Sequence, residues 1–313
     1  MLTKKAFFAL KVVLALLILL ALIWTVHPSK IWQAFRSANF FMILLALLLL
    51  PLNFALQFYK WQFIVSWVRR DVRFSEAART LLISLAIGLS TPGRVGEYAR
   101  GFFVKGTDWA TGLGLVAIDK LYSLFIMTAL GGLALLSLLP KLPRLSFLPP
   151  VVPFILAAFF IFLLILLIFP HTFRGVIVRL GRHFPETHPF HRFIHGVELL
   201  NNRRGQAVFF LSLFIYVIFS IQFFILVNAF TPIPIETAAR VVPSVFFIKA
   251  MLPVSIGDLG IREGASVFLF GKCGVAAAAA FNGPILLFVM NLLLPGLAGL
   301  YFLLKEKGAR NKS

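Results

Sequence analysis

Residues 89–100 read LSTPGRVGEYAR and place three charged side chains, a proline and two glycines between long apolar runs. Inside a membrane such charges are costly and usually mark a functional site. The spacing Pro-x-x-x-Gly-acid occurs at residues 92–97 and again at residues 253–258. Each copy is followed within a few residues by an arginine, Arg100 or Arg262. This recurrence predicts two broken-helix tips belonging to one internal repeat.

The composition is that of a polytopic membrane protein. The 313 residues are 60% hydrophobic and 13% charged, with a mean hydropathy of +0.95. The net charge of +19 is spread over short loops between apolar runs. It therefore indicates membrane topology and contacts with anionic lipid rather than nucleic-acid binding. The single cysteine, Cys273, excludes an internal disulfide. We expect one transmembrane domain over residues 1–313 and no cofactor.

Long apolar segments that can cross a membrane alternate along the chain with shorter ones. Two pairs of shorter segments flank the proline tips, and at about ten residues each they are too short to cross. The predicted fold is all-α, with about six full spans plus two re-entrant broken-helix hairpins. The predicted spans are the run up to residue 26 and residues 40–59, 109–139, 151–169, 209–230 and 275–304; the hairpin segments are 81–89 with 94–104 and 241–252 with 260–270.

The order of span, hairpin and long span occurs twice, at about residues 40–139 and about residues 207–304. The first hairpin enters from the cytoplasm and the second from outside, so the repeats have inverted topology. Inverted repeats with broken helices indicate a transporter-type binding site near the midplane. The basic loops place both termini in the cytoplasm, with the protein in the inner membrane. Counting a hairpin as a full span would reverse the side of every later basic loop.

The charges of the tips suggest a site for an anion. Arg94, Glu97 and Arg100 follow one another at intervals of three, so the glutamate can pair with either arginine on one helix face. Arginine pairs well with phosphate, and a helix N-terminus adds free N–H groups. The predicted substrate-binding residues are Arg94, Glu97, Arg100, Asp258, Arg262 and Glu263; the tip residues are Pro92, Gly93, Gly96, Pro253 and Gly257; the candidate counter-charges are Asp119 and Lys120.

Two of these assignments have simpler alternatives. The alternative for the tips is ion pairs that only lock the two hairpins together, and the alternative for Asp119 and Lys120 is snorkelling to the interface. Adjacent Arg262 and Glu263 cannot face the same way on a helix, so one of them is expected to pair across to the first hairpin. Arg100 and Arg262 are expected to converge on one cavity.

The histidines between residues 171 and 195 include His188, His191 and His195 at helix-like spacing. The surrounding arginines oppose a cation, and no acidic or cysteine cluster completes a ligand set. We therefore predict no metal site. An amphipathic segment lying on anionic lipid is the preferred interpretation.

The two tips, LSTPGRVGEYAR at residues 89–100 and LPVSIGDLGIREG at residues 252–264, resemble the lysylphosphatidylglycerol synthase transmembrane family, also called flippase-like domain proteins. Lys60-Trp61 is similar to the pair closing that family's second span, and Asp119-Lys120 to an acid-base pair in the helix after its first hairpin. The chain departs from the pattern at Ser123, where the family often carries another acid.

The resemblance implies a lipid translocator. In bifunctional members the membrane domain is fused to a soluble aminoacyltransferase, a domain not found in these 313 residues, so no enzymatic activity is expected. The hypothesis is movement of an anionic phospholipid or polyprenyl-phosphate-linked lipid between leaflets. The alternative is a non-transporting scaffold or lipid-binding regulator, with an envelope-synthesis enzyme as partner. A third hypothesis, an intramembrane lipid-modifying enzyme, would need a nucleophile or metal set facing the acids.

Overall fold

The computed structural model describes residues 20–91, 93–141, 149, 151–171, 174–175, 179, 189–252 and 259–310. Within these ranges the regular structure is helical throughout, as the apolar patterning predicts. The described helices are α1 (Pro28–Arg36), α2 (Phe40–Val65), α3 (Phe74–Leu89), a 3₁₀ helix (Val95–Phe103), α4 (Trp109–Ser137), α5 (Val151–Ile168), α6 (Pro189–Glu198), α7 (Asn202–Asn228), α8 (Ile235–Met251), α9 (Ile261–Lys272), α10 (Ala277–Phe288) and α11 (Leu294–Arg310). A short 3₁₀ turn, Leu139–Lys141, follows α4.

Five described helical segments are long and apolar enough to cross a membrane, namely α2, α4, α5, α7 and Ala277–Lys305. The last joins α10 to α11 through a π-helical segment, Val289–Leu293. These five match five of the six predicted spans. The first predicted span lies mostly outside the described residues. Its described part, residues 20–26, is helical. The chain is thus a multi-pass membrane protein.

α5 has the surface expected of a lipid-facing span. Its span is only 11% buried inside the protein, with a mean hydropathy of 3.3. Phe154 and Ile155 are 76% and 61% exposed, and no polar side chain interrupts the helix. Apolar surface of this extent is stable when hydrocarbon rather than water covers it.

The first helix of each hairpin is longer than the apolar segment that predicted it. α3 begins at Phe74 rather than at residue 81, and α8 begins at Ile235 rather than at residue 241. Their first turns carry charged residues, which a count of apolar residues leaves out. At 1.5 Å per residue the 16 residues of α3 extend about 24 Å, still short of the roughly 30 Å hydrocarbon core.

The described helices follow the same order twice: a long helix, a shorter helix, a short return and a long helix. In the first half these are α2, α3, the 3₁₀ helix and α4; in the second they are α7, α8, α9 and α10 with α11. Two hydrophobic clusters divide the interior along similar lines, and Leu50 and Tyr216 pack against both. The repeat bounds and the opposite orientation of the copies stay predictions.

Candidate functional site: a buried ion cluster beside the first hairpin

The turn between α3 and the 3₁₀ helix depends on small residues. Gly93 and Arg94 both have left-handed backbone angles, with φ of 58° and 57°. The Thr91 hydroxyl accepts a hydrogen bond of 2.8 Å from the Gly96 amide, which closes the turn. A Cβ at Gly96 would lie 2.6 Å from the Ile87 carbonyl oxygen, so a larger residue does not fit there. The third predicted tip residue of this hairpin, Pro92, is outside the described residues.

The 3₁₀ helix presents Glu97 and Arg100 on one face, because residues three apart eclipse one another at three residues per turn, and Arg94 immediately precedes the helix. Glu97 is 3% exposed and forms ion pairs with Arg94 and with Lys120 of α4. Its side chain passes over Gly88, where a Cβ would lie 2.7 Å from the Glu97 Cγ atom. The predicted pairing of Glu97 with an arginine is thus found at Arg94.

Arg100 forms its ion pair with Asp119 of α4. Asp119 also contacts the Lys60 ammonium of α2, at 2.7 Å between Nζ and Oδ1. All three side chains are at least nine-tenths buried. The Arg100 guanidinium lies 4.2 Å from the centre of the Trp61 ring, and the Trp61 indole N–H donates to Thr80 at 2.9 Å. This buried centre joins α2, α3, the 3₁₀ helix and α4.

The location predicted for Lys60 was wrong. The predicted second span ended at residue 59, which put Lys60 into the following basic loop. In the structure α2 continues to Val65, and the Lys60 ammonium donates to Ser123 at 3.1 Å and to Ser212 at 3.2 Å. Ser123, which departs from the family pattern, therefore accepts a hydrogen bond from this lysine. The signal for Lys60 was the Lys60-Trp61 resemblance; no sequence signal marked Ser212.

The six side chains Lys60, Arg94, Glu97, Arg100, Asp119 and Lys120 form what we name the ion cluster. Among these six side chains the cations outnumber the carboxylates by four to two. The side chains of Arg94 and Lys120 are 26% and 29% exposed, whereas the other four are less than 8% exposed. Asp119 and Lys120 thus pair with the hairpin charges Arg100 and Glu97. The more exposed side of the cluster is that of Arg94 and Lys120.

The second hairpin differs from expectation. Arg262 and Glu263 pair with each other, at 2.5 Å between Nη2 and Oε1, instead of reaching across to the first hairpin. Glu263 turns back towards the start of α9 and accepts a 2.7 Å hydrogen bond from the Gly260 amide. Side chains in a helix lean towards its N-terminus, so this capping position brings the carboxylate within reach of the long arginine. The expectation that adjacent residues cannot meet was wrong.

The contacts of Arg262 lie within the second half of the chain. Its guanidinium lies 5.9 Å from the centre of the Phe288 ring of α10, and the side chain is 5% exposed. The described contacts of Arg100 are with α2 and α4. Convergence of the two arginines on one cavity therefore stays a prediction. The remaining predicted residues of this tip, Pro253, Gly257 and Asp258, are outside the described residues.

Among the described residues no group of three or more His, Cys, Asp or Glu side chains could hold a metal ion. His191 and His195 lie on α6, and His188 is outside the described residues. α6 is more than a segment lying on lipid, because it packs closely against α4: the Thr111 hydroxyl donates to the Arg192 carbonyl at 3.2 Å. Ile194 is 2% exposed.

Helical spans, a broken helix and a buried ion cluster define a multi-pass membrane protein with a candidate anion site. A family model described as the lysylphosphatidylglycerol synthase TM region matches residues 8–299. The chain therefore belongs to this family, as the two tip motifs predicted, and the membership connects it with membrane lipids. No curated protein and no solved structure matches the chain.

Proposed function

We propose that the protein moves an anionic phospholipid or polyprenyl-phosphate-linked lipid between membrane leaflets, without catalysing a reaction on it. The observation that carries the proposal is the gathering of four cations around two carboxylates in the ion cluster, with Arg100 Nε left without a hydrogen-bond partner among the described residues. Excess charge inside a membrane protein is costly unless a ligand or ion balances it. A lipid phosphate supplies such a charge while its acyl chains stay in the surrounding hydrocarbon.

Arg94 and Lys120 are the proposed first contacts of the phosphate. They are the two more exposed cations of the cluster, and both pair with Glu97. A phosphate can replace Glu97 at these two cations, because guanidinium and ammonium groups donate equally well to phosphate and carboxylate oxygens. Glu97 then acts as the internal anion that occupies the cations when no lipid is bound.

Arg100 and Asp119 form the inner layer of the proposed site. Arg100 Nε has no hydrogen-bond partner among the described residues, so this guanidinium retains a donor for a phosphate oxygen. Arg262, Glu263 and Asp258 are proposed to serve the same lipid in the second hairpin, with one repeat rocking against the other. In this proposal the protein lies in the inner membrane with both termini in the cytoplasm.

The test is lipid movement in proteoliposomes that contain fluorescent phosphatidylglycerol, with dithionite bleaching of the outer leaflet. We expect the double variant Arg94→Gln, Lys120→Gln to flip this lipid at least tenfold more slowly than the native protein. Each charge-assisted hydrogen bond lost is worth roughly 1.5–3 kcal/mol, and a tenfold change needs about 1.4 kcal/mol.

The matched control is Lys30→Gln, Arg36→Gln on α1, which removes two cations outside the ion cluster and should leave the rate unchanged. Equal rates for the native protein and the cluster variant would refute the mechanism. A native protein that binds phosphatidylglycerol and moves none of it would instead support the non-transporting regulator.

A further inference from the structure

A second basic feature lies at the open end of the first hairpin. A groove of about 570 Å³ lies between the first half of α3, the residue Lys105 that follows the 3₁₀ helix, and Phe302 in the middle of α11. Its lining residues are Arg73, Ser75, Glu76, Ala78, Arg79, Leu82, Lys105 and Phe302. We name it the basic groove. The residues of the ion cluster are not among those that line it.

Arg69 pairs with Glu76, the one carboxylate of the groove's described lining, and contacts the backbone at Lys105. Its guanidinium forms an ion pair with Glu76 and donates to the Lys105 carbonyl oxygen at 2.6 Å. Glu76 is therefore occupied by a cation outside the lining. The cationic residues of the lining are Arg73, Arg79 and Lys105, of which Arg73 and Lys105 are exposed, and Arg69 links the wall of Glu76 to the wall of Lys105.

The start of α3 adds to this positive surface. Arg73 precedes the helix with an extended backbone, and its side chain does not cap the first N–H groups of α3. The positive end of the helix dipole thus faces the same side as the three cations. A phosphate group, whether a monoester or a diester, is an anion that such donors match well.

The groove also has an apolar wall, formed by Leu82 of α3 and Phe302 of α11. The two helices are in backbone contact, because a Cβ at Gly299 would collide with the Leu82 carbonyl group. Next to this wall Tyr301 and Leu304 are 63% and 60% exposed on α11. A free phosphate has no apolar group to contact this wall or the exposed apolar side chains of α11. A lipid can place its acyl chains against both.

A second groove shows the difference. It measures about 410 Å³ and is lined by His171, Arg174, Asn201, Asn202 and Arg203. It presents cations, but its described lining contains no apolar residue. Positive charge is thus shared by both grooves, and the combination with an apolar wall distinguishes the basic groove.

We propose that the basic groove binds the phosphate of an anionic lipid at the membrane surface, with Arg73 and Lys105 as its exposed contacts and the acyl chains along Phe302 and α11. The groove is separate from the ion cluster, and the hairpin of α3 and the 3₁₀ helix connects the two. This binding requires no lipid movement, so it stands or falls independently of the proposed function.

The experiment uses the full-length protein in membranes containing photoactivatable phosphatidylglycerol, with mapping of the crosslinked peptides. We expect crosslinks in residues 73–82 and at Phe302, reduced at least tenfold in the Arg73→Gln, Lys105→Gln variant. Both residues are exposed, so the variant should remain folded. The control Arg174→Gln, Arg203→Gln removes two cations of the second groove and should leave these crosslinks unchanged.

Two further arms identify the source of the phosphate. Photoactivatable phosphatidylcholine should crosslink at least tenfold less than phosphatidylglycerol, and millimolar inorganic phosphate should leave the phosphatidylglycerol crosslinks unchanged. Displacement by inorganic phosphate would make this a free-phosphate site and overturn the lipid assignment. Crosslinks absent from the groove in the native protein, or unaffected by the variant, would overturn the proposal entirely.

Discussion

Asp119 is the residue on which the buried ion cluster depends. It lies 2.7 Å from the Lys60 ammonium and also pairs with Arg100, and its side chain is 6% exposed. Two cations at this depth are stable only while the carboxylate remains between them. The hydrogen bonds from Lys60 to Ser123 and Ser212 satisfy its remaining protons. Thus a single aspartate connects α2, the 3₁₀ helix and α4.

Replacement of Asp119 by Asn should lower the free energy of unfolding by roughly 3–5 kcal/mol, because it leaves two buried cations without their carboxylate. Thermal unfolding in detergent, followed by circular dichroism, measures the loss. The matched control is Asp71→Asn, since Asp71 is also paired with an arginine, at 3.2 Å, but its side chain is 84% exposed. A similar loss in both variants would contradict the structural role given to Asp119.

At the scale of elements, the position of the first hairpin depends on backbone contact between two glycines. A Cβ at Gly101 of the 3₁₀ helix would lie 2.7 Å from the Gly112 carbonyl carbon of α4. A Cβ at Gly112 would in turn collide with the Gly101 carbonyl group. Since Arg100 and Asp119 lie on these same two elements, the close approach brings the ion pair within reach.

The variant Gly112→Ala should push the 3₁₀ helix away from α4 and destabilise the protein by roughly 1–3 kcal/mol, as overpacking of a well-packed contact does. The same unfolding measurement detects it. Gly271→Ala is the control, because nothing lies within 4 Å of a Cβ there and α9 is helical at that residue. Alanine should leave stability unchanged or raise it by up to about 1 kcal/mol. Equal destabilisation by both substitutions would exclude the backbone contact as the cause.

At the scale of the whole molecule, a chain of amide groups connects the two halves inside the membrane. The Asn53 amide donates to Asn291 at 3.1 Å, and the Asn291 amide donates to Gln222 at 2.8 Å. Gln222 then donates to the Ala46 carbonyl at 2.9 Å. Asn291 lies in the π-helical segment Val289–Leu293, a geometry that often accompanies functional sites in helices. The first and second halves are therefore held together by polar contacts in addition to apolar packing.

A double-mutant cycle with Asn53→Ala and Asn291→Ala should reveal a coupling free energy of about 0.6 to 1.7 kcal/mol, the range for hydrogen bonds within membrane proteins. The double variant should thus lose less stability than the two single variants together. The comparison is a second cycle with Asn53→Ala and Asn282→Ala. It should be additive, because the Asn282 amide donates to the Ile31 carbonyl and shares no partner with Asn53. If the losses of stability were additive for Asn53 and Asn291 as well, the amide contact would not join the halves.

Much of the candidate site was predictable because its signals are local. The Pro-x-x-x-Gly-acid spacing identified the first tip, and the interval of three between Arg94, Glu97 and Arg100 placed them on one face. The need for Gly96 and the pairing of Glu97 with Arg94 follow from such short-range geometry. Lys60 was misplaced because a lysine near the end of an apolar run has the same local signal whether it faces water or a buried aspartate.

By itself the sequence determined that the chain is a multi-pass helical membrane protein, that two broken segments interrupt it, and that charges cluster at the first. Hydropathy and turn chemistry are properties of neighbouring residues, so they can be read along the chain. Only the tertiary structure decided which charges meet: Arg100 with Asp119 and Lys60, and Arg262 with its neighbour Glu263. The reason is that the partners in a buried ion pair depend on which helices pack around them. This packing is set by contacts between residues far apart in the chain.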